Sequence, residues 1–202
     1  MALFTVHPTR LDRLTADFIA DHADDRIERV AGALTWAGDE QVLSVLALGW
    51  WIYCRNKGPI RRLQSDHLLL TTVAAAILPH IIKTLVDQER PDRQTVLGHL
   101  HGVPFSGKKY DAFPSGHALH AGALASAAAG LPPPQRNSVW AAISALVATR
   151  VVLLAHWTSD VAAGFAIGVA LERLMRLATG YGRVQRVNDA SERATRPKAH
   201  PN

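Results

Sequence analysis

The chain has 202 residues, of which 48% are hydrophobic and only 6% aromatic, so its apolar content is mainly Ala, Leu, Val and Ile; this length fits one domain. A net charge of +5 and a pI near 9.8 raise the question of nucleic acid, but no aromatic-interleaved basic patch and no nucleic-acid motif is present, so nucleic acid is set aside as a partner. The single cysteine, Cys54, excludes an intrachain disulfide and a thiolate metal cluster, and its setting in "GWWIYC" reads as a small buried hydrophobe.

The first 25 residues lack the charged, apolar, small-residue plan of a secretory signal. From 9 to 37, apolar positions at Leu11, Leu14, Phe18, Ile27, Val30, Ala31 and Leu34 recur at helical spacing with acids between them. They predict one or two amphipathic helices in an N-terminal segment, residues 1–40, with Thr9 and Asp12 as a helix-start signal.

Five apolar segments follow, near 41–54, 68–86, 117–131, 138–156 and 160–178. The second and fourth are long enough to span a bilayer, whereas the first and third equally fit buried core helices. Charge helps to separate these readings. The linker 55–66 carries four basic residues and one acid, and the tail is rich in Arg and Lys, which places both on the cytoplasmic side. Loop 87–116 carries four bases and four acids, and the first forty residues eight acids and four bases, which places them on the other side. Alternating segments satisfy this pattern. The expected fold class is therefore all-α: a polytopic transmembrane bundle of about five spans, residues 41–180, with an N-terminal amphipathic interfacial helix. A polar tail, 181–202, is expected to be disordered. Trp50, Trp51 and Trp157 near segment ends fit an aromatic belt.

Chemistry concentrates at the segment ends. In "KTLVDQERP", Lys83 and Arg90 stand seven apart, which on a helix puts two cations on one face about 10 Å apart before Pro91 stops it. In "FPSGHALHAG", Pro114 and Ser115 supply ordinary helix-start chemistry. The amides of Ser115, Gly116 and His117 would also face an anion, and Gly116 would allow close approach. In "TRVVLLAHWTSD", Arg150 lies within an apolar segment, and the Asp160 carboxylate can reach His156 if the turn stays helical. A carboxylate on one ring nitrogen would leave the other as a nucleophile, although such a pair can equally be structural. Alternating spans bring Lys83, Arg90, His117, Arg150, His156 and Asp160 to one membrane face. Three cations, an amide nest, two imidazoles and a carboxylate suit a phosphate and the charge of its transition state.

Lys83, six residues, Arg90-Pro91; Pro114-Ser115-Gly116-His117; and Arg150, five residues, His156, three residues, Asp160 together resemble the three-part signature of the type 2 phosphatidic acid phosphatase superfamily. The third motif usually opens with Ser where Thr149 stands, and its hydroxyl is expected to substitute. The resemblance implies a helical bundle, no metal or other cofactor, and a phosphohistidine intermediate. By motif position, His156 would attack phosphorus, Asp160 orient it, and His117 protonate the leaving oxygen and then activate water. Lys83, Arg90, Arg150 and the amides near Ser115 and Gly116 would hold the phosphoryl group.

The expected protein is a multi-pass cell-membrane phosphatase acting on a lipid phosphate or pyrophosphate at the non-cytoplasmic face, with the bilayer and its lipid as partners. Phosphatidate, phosphatidylglycerol phosphate and undecaprenyl pyrophosphate all fit, and the sequence sets no oligomeric state. The alternatives are a binding or transport protein using the same cations, and a soluble acid phosphatase or haloperoxidase of the superfamily. Two imidazoles favour turnover, since transport needs only cations. Of the remaining histidines, His99 and His101 read as solvated, His120 as packing, and His80 after Pro79 as the mark of a kink.

Overall fold

The computed structural model describes residues 3–91 and 109–182. Seven α-helices dominate them: α1 (Arg10–His22), α2 (Asp25–Thr35), α3 (Glu40–Cys54), α4 (Pro59–Leu85), α5 (Gly116–Ala128), α6 (Pro133–Val152) and α7 (Thr158–Ala178). A short 3₁₀ turn, Trp36–Gly38, joins α2 to α3. Two tiny parallel strands, β1 (Phe4–Thr5) and β2 (Val86–Asp87), pair Phe4 with Val86 and Thr5 with Asp87. His99, His101 and the tail from 183 lie outside the described residues.

Local chemistry sets the helix starts. Thr9 and Asp12 form the reciprocal capping box of α1, with Asp in the place where Glu or Gln is usual. Asp24 and Asp39 cap α2 and α3 through their carboxylates, and proline in the first turn opens α4 and α6. The N-terminal segment is thus two helices. The apolar face of each points outward: Leu11, Phe18, Ile27 and Val30 are all exposed.

The five apolar segments coincide with α3 to α7. Among the described residues, one helix, α4, is long and apolar enough to cross a membrane by length and composition. Helix α5, with 13 residues, is about 20 Å long, shorter than a hydrocarbon core. It is the central element of the bundle, apolar along its length and packed against α3, α4, α6 and α7. Its closest partner is α7, and glycine explains the closeness. A Cβ on Gly168 would lie 1.9 Å from the Leu119 carbonyl oxygen, one on Gly122 2.0 Å from that of Phe165, and one on Gly164 2.5 Å from that of Ser115. Gly164 and Gly168 form the small-xxx-small spacing that lets helix backbones touch.

The two ends of this bundle differ. At one end, buried Glu172 accepts from Ser126 Oγ at 2.5 Å and Arg176 Nη2 at 2.6 Å and lies 3.2 Å from His67 Nε2, tying α4, α5 and α7. At the other lie the C-terminal parts of α4 and α6 and the N-termini of α5 and α7, where the phosphate-type residues fall.

Two local expectations need correction. Lys83 and Arg90 do not share a helix, because α4 stops at Leu85 where the chain turns into β2 beside β1. Helix α4 runs through Pro79, and His80 points outward with Nε2 3.5 Å from Glu40. Trp157 is no belt residue: it is 1% exposed, packs with Ala16, Ala112 and Leu154, and donates Nε1–H to the Glu89 carbonyl at 2.7 Å. Cys54 is fully buried, as its context predicts.

Candidate active site

Helix α6 ends at Val152, and the chain reverses over Leu153 to Trp157 before α7 begins. The reversal is strained: Leu154 is buried and holds φ +50°, a left-handed conformation that is costly for a bulky residue. The Ala155 and His156 amides both donate back to the Arg150 carbonyl, at 3.1 and 3.3 Å. The bend therefore sets His156 beside its own helix end.

His156 is 3% exposed, and its Nδ1 lies 2.7 Å from the Ala112 carbonyl. A carbonyl only accepts, so Nδ1 carries the hydrogen and the neutral ring keeps its lone pair on Nε2. This corrects the expected His156–Asp160 bond: Asp160 Oδ2 is 3.9 Å from Nδ1, beyond hydrogen-bond reach. Asp160 is fully buried and its Oδ2 accepts instead from the Trp157 amide at 3.0 Å. It holds the backbone beside His156, and the Ala112 carbonyl holds the ring.

Arg90 is 5% exposed and fixed on three sides. Its Nε and Nη2 donate to Asp111 Oδ1 at 2.9 and 2.8 Å, and Nη1 donates to the Ala155 carbonyl at 2.9 Å. Lys83 Nζ lies 3.9 Å from Asp111 Oδ2, so one carboxylate gathers both cations. Arg150 Nη1 donates to Thr35 Oγ1 at 2.9 Å, while its buried Nε has no hydrogen-bond partner among the described residues. A buried guanidinium with a donor to spare is arranged to receive an anion. Arg90 is tied to the residue before His156, and the His156 amide to the Arg150 carbonyl, so the site's cations are linked to the bend that carries the ring.

At the N-terminus of α5, Ser115 is fully buried and its Oγ accepts weakly from the Ala118 amide at 3.4 Å. Its own amide donates to the Asp160 carbonyl at 3.3 Å, which joins the starts of α5 and α7 and corrects the expectation that this amide faces an anion. A Cβ on Gly116 would meet only Pro79, at an ordinary 3.8 Å, so protein packing does not demand glycine there. The His117 ring lies against the 3₁₀ turn, where a Cβ on Gly38 would be 3.4 Å from its Cδ2, and within electrostatic reach of Arg150. His120 is buried, with Nδ1 3.2 Å from the Gly116 carbonyl, a packing arrangement. The Thr149 hydroxyl donates to the Leu146 carbonyl at 2.6 Å, within its own helix.

The structure therefore gathers Lys83, Arg90, His117, Arg150, His156 and Asp160 at one end of the bundle. It also adds Thr35, Asp111 and the Ala112 carbonyl. Nothing local in the sequence marks these, since each is defined by a partner far along the chain. No group of three His, Cys, Asp or Glu side chains among the described residues could hold a metal ion.

This arrangement has known relatives. The family model of the PAP2 superfamily matches residues 67–183, more than half of the chain, and the chain belongs to that superfamily. Among curated proteins, the lipid A 1-phosphatases of Rhizobium johnstonii and Rhizobium etli are each 38% identical over 103 residues, covering 50% of this chain and 42% and 44% of theirs. The chain thus matches less than half the length of these relatives. Among solved structures, Aquifex aeolicus LpxE superimposes with a TM-score of 0.61 at 17% identity, over 83% of this chain and 95% of that one. A transmembrane PAP2-type phosphatidylglycerolphosphate phosphatase from Bacillus subtilis gives 0.58 at 18% identity, over 82% of each chain. At these identities the likeness establishes a shared fold.

Proposed function

We propose that the chain is an integral-membrane phosphatase that hydrolyses a lipid phosphate, with a lipid A-type 1-phosphate as the first substrate to test. The observation that carries this reading is His156: a buried imidazole with Nδ1–H held by the Ala112 carbonyl and its lone pair on Nε2, on a bend bonded to Arg90, which shares Asp111 with Lys83. Membership of the superfamily and two lipid A 1-phosphatases among its relatives support the substrate class.

In this mechanism Nε2 of His156 attacks phosphorus, a P–N bond forms, and the P–O bond to the lipid breaks as His117 gives its proton to the leaving oxygen. Water then attacks the phosphohistidine, passes a proton to His117, and releases phosphate. Lys83, Arg90, Arg150 and the first amides of α5 bind the phosphoryl oxygens through both steps. Asp160 keeps the Trp157 backbone, and so His156, in place.

The membrane reading rests on α4 and on the outward apolar surface of α3 and α4, where Val45, Leu46, Ile52, Leu70, Ile77 and Ile81 are exposed. With α3 to α7 as five alternating spans, the basic linker 55–66 and the basic tail support a site on the non-cytoplasmic face. The test is phosphate release by purified protein from a panel of lipid A 1-phosphate, phosphatidate, phosphatidylglycerol phosphate and undecaprenyl pyrophosphate, with chelator present. Release is expected with chelator and inhibition with vanadate, whose five-coordinate form resembles the in-line transition state. Activity that disappears in chelator and returns with magnesium contradicts the mechanism, and binding of every lipid without release supports a binding or transport protein instead.

A further inference from the structure

Helix α7 carries Asp160 and follows His156 directly, yet it opens on a residue that cannot cap it. The residue before Thr158 is Trp157, whose indole offers no acceptor to the free amides of a first turn. Asp160 reaches back to one of them, the Trp157 amide. The Ser159 amide is served from the far end of the chain. Asp12 Oδ1 accepts it at 2.8 Å, and Asp12 Oδ2 accepts the Ser159 hydroxyl, also at 2.8 Å.

Asp12 lies 147 residues upstream in the first turn of α1 and is 2% exposed. Its Oδ2 also accepts the Thr9 amide and hydroxyl, each at 2.8 Å, so one carboxylate caps two helices. Burial works against its charge, but the bonds from Ser159 and Thr9 outweigh burial and hold its pKa below the usual carboxylate value. A negative charge at the α7 N-terminus also complements the helix dipole. Around this cap, Ala16 of α1 packs with Ala112, Leu154 and Trp157, and Ile19 and Ala20 lie alongside. These are the residue whose carbonyl holds the His156 ring, the strained residue of the bend, and the residue that precedes α7.

From this juxtaposition we infer that Asp12 is a positioning residue: by capping α7 in trans, it lets the N-terminal helix hold the bend that carries His156. The inference rests on His156 being the reacting residue. Asp12 bonds to Thr9 and Ser159 and to none of the three cations or two imidazoles, so its loss acts through the bend that carries the attacking ring and removes no phosphate-binding group.

The test uses Asp12→Ala, Asp12→Asn and Ser159→Ala in the full chain, with two readouts. Asp12→Ala is expected to lower kcat by roughly tenfold or more with KM little changed, since small displacements of a reacting group are costly. Asp12→Asn keeps one acceptor oxygen and should fall between wild type and Asp12→Ala. The second readout needs no substrate: amide hydrogen exchange over 157–161 should quicken by about five- to thirtyfold in Asp12→Ala, the effect of losing a helix cap, with the centres of α5 and α6 unchanged. Wild-type exchange and kcat in Asp12→Ala would overturn the inference, as would faster exchange spread evenly over α5 to α7. If Asp12→Ala does not fold, Asp12→Asn and Ser159→Ala decide together, since each weakens one part of the clamp, and wild-type exchange at 157–161 in both overturns it. A chain that releases no phosphate but shows the local exchange effect refutes the proposed activity and keeps the clamp.

Discussion

Arg90 shows how much of this site depends on the geometry of single side chains. Its guanidinium spends Nε and Nη2 on Asp111 and Nη1 on the Ala155 carbonyl, so it links the segment after α4 to the bend before His156. A lysine keeps the charge but cannot bridge both acceptors, because an ammonium is a point donor on a flexible stem. Arg90→Lys is therefore expected to lower kcat/KM by on the order of a hundredfold while the protein stays folded, measured as phosphate release over a substrate series. A loss below about threefold would show that only the charge at this position counts.

At the scale of elements, the contact between α5 and α7 decides whether the starts of these helices, with Ser115 and Asp160, meet at all. A methyl on Gly168 would fall 1.9 Å from a backbone oxygen, a clash that no side-chain rotation relieves. Alanine is the better helix former by about 1 kcal/mol, but overpacking of this kind costs roughly 1–3 kcal/mol and, against backbone, sits at the upper end. Gly168→Ala should therefore lower the thermal unfolding midpoint. Gly32→Ala in α2, where nothing lies within 4 Å of the added carbon, should raise or preserve it. Equal effects at the two positions would contradict the packing account.

Much of this scale was legible in the sequence. The apolar segments lie on α3 to α7, and the acids between Leu11 and Leu34 mark the two amphipathic helices, because both signals are local and periodic. The spacing of Lys83, Arg90, His117, Arg150, His156 and Asp160 pointed to one cluster for a similar reason: alternating helices return to the same end. The Ala112 carbonyl under His156, Asp111 between Lys83 and Arg90, and Asp12 under Ser159 were not legible. Each is a contact across at least 20 residues, made possible by a left-handed Leu154 and a two-residue strand pair that no periodicity announces. The Gly164–Gly168 spacing was visible, and its meaning required knowing that α5 lies across it.

On the scale of the whole molecule, the proposed spans make a two-sided claim. Single cysteines at Asn56 in the α3–α4 linker and at Lys109 before α5, in a Cys54→Ala background, should label from opposite faces of sealed vesicles. Labelling of both from one face would refute the alternating arrangement. The central claim, that His156 carries the phosphoryl group, is tested most directly by rapid acid-free quench of the purified protein with phosphorus-labelled lipid phosphate. The account predicts a base-stable, acid-labile phosphoprotein in wild type, none in His156→Ala, and one that forms from an activated substrate but hydrolyses slowly in His117→Ala. Label trapped in His156→Ala but never in His117→Ala would reverse the two roles, and lipid turnover with no phosphoprotein in any of the three would contradict the account.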